Sequence, residues 1–204
     1  MRVINSVNSR QAAPARARSQ CLSVCLVLLA GLFPASSCLH GQQAKPTEYA
    51  VKAAYLYNFV KFIDWPAKIA SDQDSSFTIC ILGQDSFGPT LDAALANHTI
   101  DGKGVVAKRI SKSQEALNCR VLFISSSEQN HLKDILATLD KASLLTVSDA
   151  PDFAERGGMI QFVMDGNKVR FEVNVTNAER AGLVLRSELL KVAITVIGNP
   201  QRGG

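Results

Sequence analysis

The sequence is poor in the residues from which catalytic and metal sites are commonly built. It has three histidines, His40, His98 and His131, and contains neither a His-Glu-x-x-His nor a Gly-x-Ser-x-Gly motif. These absences argue against a zinc protease and against a hydrolase with a nucleophile elbow. No histidine lies at ligand spacing from Cys80 or Cys119, so we expect no metal site. We therefore expect a protein that is not an enzyme and that carries no cofactor.

An excess of positive charge is confined to the start of the chain. Residues 1–37 contain four arginines, no acidic residue and an apolar run of about thirteen residues, Cys21–Phe33. This pattern is typical of a secretory signal, and the run is too short to span a membrane comfortably. Without it the 22 basic residues fall to 18, which equals the 18 acidic ones. No cationic stripe remains, so nucleic acid is not an expected partner.

The domain boundaries follow from this assignment. We expect residues 1–37 to be a signal peptide, 38–46 a polar lead-in, 47–198 one domain and 199–204 a tail. The end of the signal has two interpretations, because Ala35-Ser36-Ser37-Cys38 has the small residues and the cysteine of a lipoprotein signal but lacks its usual leucine. We expect an exported protein, with lipidation of Cys38 as an alternative.

Only two of the five cysteines lie beyond the signal and its border. Cys80 and Cys119 each lie in or beside an apolar, strand-like run. In an exported chain, an even pair is more often a disulfide than two free thiols. Two separate buried thiols are the alternative.

Residues Val51–Trp65 are predicted to form a helix that ends before Pro66, which lacks the amide that a helix needs. Apolar residues cover most of its circumference and leave one narrow polar strip, formed by Asn58, Lys61 and Asp64. Burial between two layers would explain this width. So would an aromatic surface that binds a protein partner, because aromatics are enriched at interface cores. The candidate partner-binding residues are Tyr55, Tyr57, Phe62 and Trp65.

Strand and helix patterns alternate through the middle of the chain. Short apolar runs predict buried strands at Phe77–Leu82, Val105–Ile110, Val121–Ile124 and Leu144–Val147. This alternation predicts a mostly parallel sheet with packed helices. Met159–Met164 and Lys168–Asn174 flank a turn and predict an antiparallel hairpin, and a long helix from Thr176 to Ile197 is expected to follow. The predicted fold is α/β, a single three-layer domain with a C-terminal antiparallel hairpin.

Polar residues are expected beyond the carboxyl ends of the parallel strands, where open sheets bind ligands. The candidates for a small-molecule pocket there are Ser125, Ser126, His131 and Asp149. Serine, histidine and aspartate could also form a hydrolase triad, but helix capping explains the serines and no nucleophile elbow surrounds them. A pocket that binds without catalysis is therefore favoured over a hydrolase.

The order of these segments resembles the YfiR family of bacterial periplasmic proteins. The resemblance covers about Thr47–Ile197 and is carried by VKAAYLYNFVKFIDWP, FTICILGQDSFG, CRVLFIS, GGMIQFVMDGNKVRFEVN and NAERAGLVLRSELLKVA. It implies a compact α/β domain that tends to dimerise, and a disulfide between Cys80 and Cys119. The family's second cysteine pair is expected late in the chain, but Cys119 is the last cysteine here. Redox sensitivity through that second bridge is therefore in doubt.

The resemblance also implies a regulatory function. Members look like periplasmic inhibitors that bind the sensor region of an inner-membrane diguanylate cyclase of YfiN type, lower cyclic-di-GMP output and so affect biofilms. An outer-membrane lipoprotein of YfiB type can sequester them. The expected function is thus that of a periplasmic repressor that acts by protein binding and forms a homodimer. A periplasmic small-molecule sensor is the alternative.

Overall fold

The structure, a computed structural model, describes residues 46–67, 76–140 and 142–198. In chain order its elements are α1 (Glu48–Lys61), β1 (Ile63–Asp64), β2 (Ser76–Leu82), α2 (Pro89–Leu95), β3 (Thr99–Ile100), β4 (Lys103–Ile110), a 3₁₀ helix (Ser113–Asn118), β5 (Val121–Ile124), a second 3₁₀ helix (Ser126–Glu128), α3 (Leu132–Thr138), β6 (Leu145–Ser148), β7 (Ile160–Asp165), β8 (Lys168–Asn174), α4 (Val175–Arg180), β9 (Val184–Leu185), α5 (Ser187–Val192) and β10 (Thr195–Ile197). The expected signal peptide, Cys38, most of the lead-in and the tail at 199–204 lie outside the described residues.

Eight strands form one sheet in the order β10-β8-β7-β6-β5-β2-β4-β3. The five strands that lie side by side as β4, β2, β5, β6 and β7 run parallel, whereas β7 and β8 form an antiparallel hairpin. The hairpin turns at Gly166, whose φ of 56° fits a two-residue turn with glycine in first place. The predicted α/β fold, with a mostly parallel sheet and a C-terminal hairpin, is confirmed.

Side chains of the central strands alternate between two buried clusters, one on each face of the sheet. Ile79 and Ile81 of β2 point into the cluster that contains Leu56 of α1. Leu82 of the same strand points into the opposite cluster, which contains Leu132 of α3. Helices therefore cover both faces of the parallel strands, and the domain has three layers.

A disulfide joins Cys80 of β2 to Cys119, just before β5. The two Cα atoms lie 6.0 Å apart, although the residues are separated by 39 positions in the chain. Next to the bridge, the Arg120 amide donates a hydrogen bond to the Thr78 carbonyl and so joins the same two strands. The predicted disulfide is confirmed, and it closes a loop that contains α2, β3 and β4.

The first helix ends four residues earlier than the sequence predicts. Its last residue is Lys61 and its C-cap is Phe62, so Pro66 does not end it. The chain leaves the helix because Ile63 pairs with Leu185 in a two-stranded antiparallel sheet, β1 with β9. This pairing joins positions that are far apart in sequence, so it cannot be predicted from local helix propensity.

The predicted helix from Thr176 to Ile197 is wrong, because the segment divides into α4, β9, α5 and β10. Helix α4 ends at a left-handed glycine, Gly182, with φ of 76°. The Gly182 amide donates to the Glu179 carbonyl and the Leu183 amide donates to the Ala178 carbonyl, which is the hydrogen-bond pattern of a glycine-terminated helix. The apolar periodicity of the segment arises from two short helices and two short strands.

None of the helices in the described ranges has the length and apolar character that crossing a bilayer requires. Within the same ranges, no three His, Cys, Asp or Glu side chains lie close enough to hold a metal ion.

Candidate functional site

Helix α1 lies on one face of the sheet and carries two of the four aromatics predicted to bind a partner, Tyr55 and Tyr57. Thr47 caps its first turn, where the side-chain oxygen accepts a hydrogen bond of 3.2 Å from the Ala50 amide. The buried side of the helix is formed by Lys52, Ala53, Leu56, Phe59 and Val60. This stripe leaves the flanks of the helix partly open to solvent.

The four aromatics predicted to bind a partner are all half-buried. They pack against the core cluster on the face of the sheet that α1 covers. Tyr55 lies against the hairpin, with ring centroids 6.0 Å from Phe162 and 5.4 Å from Phe171. Tyr57 lies on the other flank of α1, where its ring stacks 4.3 Å from that of His98. The four residues thus do not form one patch, because Tyr55 and Tyr57 contact opposite ends of the sheet.

Beyond the helix, Phe62 and Trp65 belong to the segment that enters the small β1–β9 sheet. The Phe62 carbonyl accepts a hydrogen bond from the Arg186 amide, and Arg186 Nε donates to Asp64 Oδ1 at 2.9 Å. Trp65 packs edge-on against Phe77 of β2 with ring centroids 5.9 Å apart. These contacts hold both aromatics in place while part of each ring remains in solvent.

The centre of α1 contains a buried lysine, Lys52, whose side chain is only 4% exposed. Its Nζ lies 2.8 Å from Asp149 Oδ2 and 2.6 Å from Glu48 Oε1. It also lies 4.4 Å from the centre of the Tyr49 ring. Burial disfavours the charged ammonium, but the hydrogen bonds to Asp149 and Glu48 outweigh it and raise the pKa of Lys52 above its ordinary value.

Asp149 is the centre of this cluster, which we call the carboxyl-edge network and define as Tyr49, Lys52, Ser126 and Asp149. Asp149 Oδ2 accepts hydrogen bonds from the Tyr49 hydroxyl at 2.9 Å and from Lys52, and Oδ1 accepts from the Ser126 amide at 3.0 Å. Burial, reinforced by the bond to Asp149, raises the pKa of Tyr49. The carboxylate is therefore bonded on both oxygens by groups of the protein itself.

The network lies beside the place where open parallel sheets usually bind ligands, the crevice at the strand carboxyl ends where the strand order reverses. In this sheet the order reverses at β2, which lies between β4 and β5. Ser127 Oγ accepts a hydrogen bond from the Gln84 amide at 3.0 Å across the crevice, and a Cβ on Gly83 would meet that Oγ at 2.6 Å. The chain's own groups thus form hydrogen bonds across the carboxyl ends of β2, β5 and β6.

The four residues predicted to form a small-molecule pocket are brought together only in part. Ser126 and Asp149 share the network, and Ser125 lies beside them, where its Oγ accepts from the Ser127 amide at 3.3 Å. His131 points away into solvent with 70% of its side chain exposed, and its Nδ1 lies 3.4 Å from Glu128 Oε2. Among the described residues, no hydrogen-bonded Ser-His-Asp series is present.

The sequence analysis did not identify Lys52 as a buried polar residue, although its spacing from core residues indicates it. Lys52, Leu56 and Phe59 are spaced by four and then three residues, so the lysine lies on the same stripe as two core residues. A lysine on a buried stripe needs an acidic partner. Its partner could not be found from the sequence, because Asp149 follows 97 residues later.

A groove of about 660 Å³ opens between the start of α1 and the β7–β8 hairpin. We call it the hairpin groove, and it is lined by Pro46, Glu48, Val51, Tyr55, Met164, Asn167, Lys168, Val169 and Arg170. Met164 is 49% exposed in it. Arg170 Nε is buried and has no hydrogen-bond partner in the part of the chain that the structure describes. The groove contains Tyr55, one of the four aromatics predicted to bind a partner.

The domain is similar to known families and structures. The model of a family described as YfiR/HmsC-like matches residues 49–194, more than half of the chain. No curated protein matches the chain significantly.

Among solved structures, a conserved domain protein from Vibrio cholerae O1 biovar El Tor is similar over 74% of this chain and 60% of its own, with 12% identity and a TM-score of 0.54. An ABC domain from Streptococcus pneumoniae, solved in complex with L-Trp, is similar over 71% of this chain and 60% of its own, with 14% identity and a TM-score of 0.48. The chain thus spans 60% of the length of each. At these identities the first likeness concerns the fold alone.

Proposed function

This chain belongs to the YfiR/HmsC-like family, and from that premise we propose that it is a periplasmic regulator that binds and inhibits an inner-membrane diguanylate cyclase. Binding to the periplasmic sensor region of a YfiN-type cyclase would lower cyclic-di-GMP output. The observation that carries the proposal is the extent of the family match, which runs from the start of α1 to the end of α5.

The geometry supports action by binding rather than by catalysis. At the strand carboxyl ends, the polar groups of the carboxyl-edge network and of Ser127 are bonded to other groups of the protein. In contrast, the aromatics on the two flanks of α1 keep part of their surface in solvent. Partly exposed aromatic side chains on a rigid helix are well suited to a protein interface, because they bury a large area at small entropic cost.

The compartment and the further partners belong to the same proposal. The Cys80–Cys119 disulfide is the kind of cross-link that persists in an oxidising compartment such as the periplasm. A YfiB-type outer-membrane lipoprotein would release the cyclase by sequestering the regulator, and the regulator itself would act as a homodimer.

Inhibition of the cyclase tests the proposal directly. The purified protein is titrated against membranes that contain the diguanylate cyclase encoded beside it, and cyclic-di-GMP synthesis is measured. Saturable inhibition that disappears when the sensor region of the cyclase is deleted is the expected result. An unchanged rate of synthesis, together with no binding to the sensor region, would contradict the proposal.

A small-molecule sensor is the second candidate, and the hairpin groove favours it. Its volume of about 660 Å³ falls within the range of ligand pockets. Thermal unfolding with a panel of metabolites separates the two candidates, since a ligand present at about 100 times its dissociation constant adds ~2.7 kcal/mol to stability. The pocket predicted at Ser125, Ser126, His131 and Asp149 is tested by the same panel with the Ser126→Ala variant.

A further inference from the structure

Exposed apolar side chains are concentrated in a short segment at one edge of the sheet. Val192, Ile194 and Val196 are 58%, 50% and 38% exposed. They are three of the seven large hydrophobic side chains that are exposed in the described residues, and they lie within five positions of one another. Strand β10, which contains Val196, is the last strand of the sheet, and no strand of the described ranges pairs with its outer side. We call Ile194–Ile197 the β10 edge.

The exposed apolar side chains of the β10 edge lie on the face of the sheet that α1 covers. Val196 is opposite Val173 in the parallel pair of β8 and β10, and Val173 belongs to the buried cluster on that face. Ile194, two residues earlier, lies on the same face as Val196. Thr195 lies on the other face, where its hydroxyl donates a hydrogen bond of 3.1 Å to Glu172 Oε1. A strand added beside β10 would therefore cover Ile194 and Val196.

The backbone of β10 also presents a donor and an acceptor at this edge. The Ile194 amide donates inwards, to the Phe171 carbonyl of β8. Because the N–H and C=O groups of successive residues in a strand point to opposite sides, those of Thr195 point away from β8. The described part of the chain places no strand on that side. Both groups of Thr195 are thus oriented to bind a neighbouring strand.

Charge distinguishes the β10 edge from the opposite edge of the sheet. Residues Val192–Gly198 contain no charged side chain. At the opposite edge, β4 extends beyond the two-residue strand β3 and carries Lys108 there. A lysine on an exposed edge is a common device against pairing between molecules. The β10 edge lacks this protection and is the edge on which an uncharged strand can add.

We propose that a second copy of this chain docks on the β10 edge, with β10 of one protomer antiparallel to β10 of its partner about a two-fold axis. When the axis passes beside Thr195, the N–H and C=O groups of Thr195 bond with those of the equivalent residue. Ile194 of each protomer then lies opposite Val196 of its partner, so apolar side chains meet apolar side chains. This inference rests on the proposed function in that it names the surface of the proposed homodimer.

A copy of the same chain suits this edge because the surface is complementary to itself. A two-fold axis places the same patch on both sides, and like charges directly opposite each other would destabilise the pair. Arg170 and Glu172 belong to β8, one strand further in, so their equivalents would lie three strand spacings, about 14 Å, away. Strand β10 has three residues. The interface is therefore small, and we expect a dissociation constant on the order of micromolar.

Sedimentation velocity of the purified full chain, between about 1 and 100 µM, tests the proposal. A reversible equilibrium between monomer and dimer is expected. Val196→Lys should raise the dissociation constant at least about tenfold, because the two-fold axis places each lysine in the interface opposite an apolar residue. Val106→Lys is the matched control, since Val106 of β4 is 43% exposed and Val196 is 38% exposed. The control should leave the dissociation constant unchanged, and thermal unfolding checks that both variants fold.

A mixture of two variants tests the register of the strands. Ile194→Glu alone should weaken the dimer as Val196→Lys does. In the proposed pair, the lysine of Val196→Lys lies opposite the glutamate of Ile194→Glu, so an equimolar mixture should form a heterodimer that is tighter than the homodimer of either variant. A parent protein that stays monomeric at about 100 µM, equal effects of Val196→Lys and Val106→Lys, or a mixture without heterodimer would each overturn the proposal.

The cyclase assay separates this proposal from the proposed function. If Val196→Lys is monomeric and inhibits the cyclase as strongly as the parent protein, the β10 edge is the dimer surface and inhibition does not require the dimer. If the parent protein inhibits no cyclase, the proposed function fails, and sedimentation still decides whether two copies pair through the β10 edge.

Discussion

Lys52 Nζ in the first helix lies 2.8 Å from Asp149 Oδ2, which follows the fourth parallel strand 97 residues later. Both side chains are almost fully buried, at 4% and 9% exposure. The pair fastens α1 to the carboxyl end of the sheet, and Tyr49 and Ser126 donate further hydrogen bonds to the same carboxylate. One buried ion pair thus helps to position the aromatic helix against the carboxyl ends of the strands.

Lys52→Met should lower the free energy of unfolding by about 3 kcal/mol, because it leaves the Asp149 carboxylate buried without its charged partner. Equilibrium unfolding in urea measures the loss. The matched control is Lys61→Met on the exposed side of the same helix, where Nζ donates to Asn58 Oδ1 at 3.3 Å and lies 4.1 Å from the centre of the Tyr57 ring. The control is expected to change stability by less than about 1 kcal/mol. Equal losses in the two variants would contradict a special role for Lys52.

The same pair predicts how stability depends on alkaline pH. The pKa of Lys52 is raised in the folded protein, so its contribution is fully present below the ordinary lysine value of 10.5 and is lost as pH rises through the folded value. The pKa of Tyr49 is also raised in the folded protein, so its contribution to stability is likewise lost as the pH rises above the ordinary tyrosine value of 10.0. Urea midpoints of the parent protein should therefore fall more steeply above about pH 10 than those of Lys52→Met/Tyr49→Phe. Parallel profiles would argue against the pairing.

The strands and the disulfide could be predicted because their signals are local. Val121–Ile124 is a short run of four apolar residues and forms a strand with the predicted bounds. Cys80 and Cys119 are the only cysteines beyond the expected signal and its border at Cys38. Likewise, the turn sequence around Gly166 predicts the hairpin from local residues alone.

The remaining features depend on contacts that a sequence does not reveal. Helix α1 ends early because Ile63 pairs with Leu185, more than a hundred residues later. Tyr55 and Tyr57 both belong to the aromatic stretch, yet their rings contact residues near opposite edges of the sheet. Tyr55 contacts Phe171, and Tyr57 contacts His98. The hairpin groove lies between the start of α1 and the β7–β8 hairpin, which are more than a hundred residues apart in sequence.

Removal of the disulfide should destabilise the domain without changing its fold. The bridge closes a loop across a sequence separation of 39, and in the chain-entropy model a loop of that length is worth about 4 kcal/mol. Cys80→Ala/Cys119→Ala is expected to lose about that amount in urea unfolding. Reductant should lower the stability of the parent protein similarly and leave the double variant unaffected. Sensitivity of the double variant to reductant would show that the effect has another source.

Gly182→Ala tests why the C-terminal segment does not form the single long helix that its periodicity predicts. Gly182 has φ of 76°, where a side chain costs about 1–2 kcal/mol, and an added Cβ would lie 3.2 Å from Pro66 Cγ. We therefore expect a loss of about 1–2 kcal/mol in urea unfolding. Gly104→Ala is the control, because an added Cβ there meets no atom within 4 Å, and it should be neutral or stabilising. If Gly182→Ala were neutral and also raised the helical circular dichroism, α4 would be extending through β9. The pairing of Ile63 with Leu185 would then contribute little to where the first helix ends.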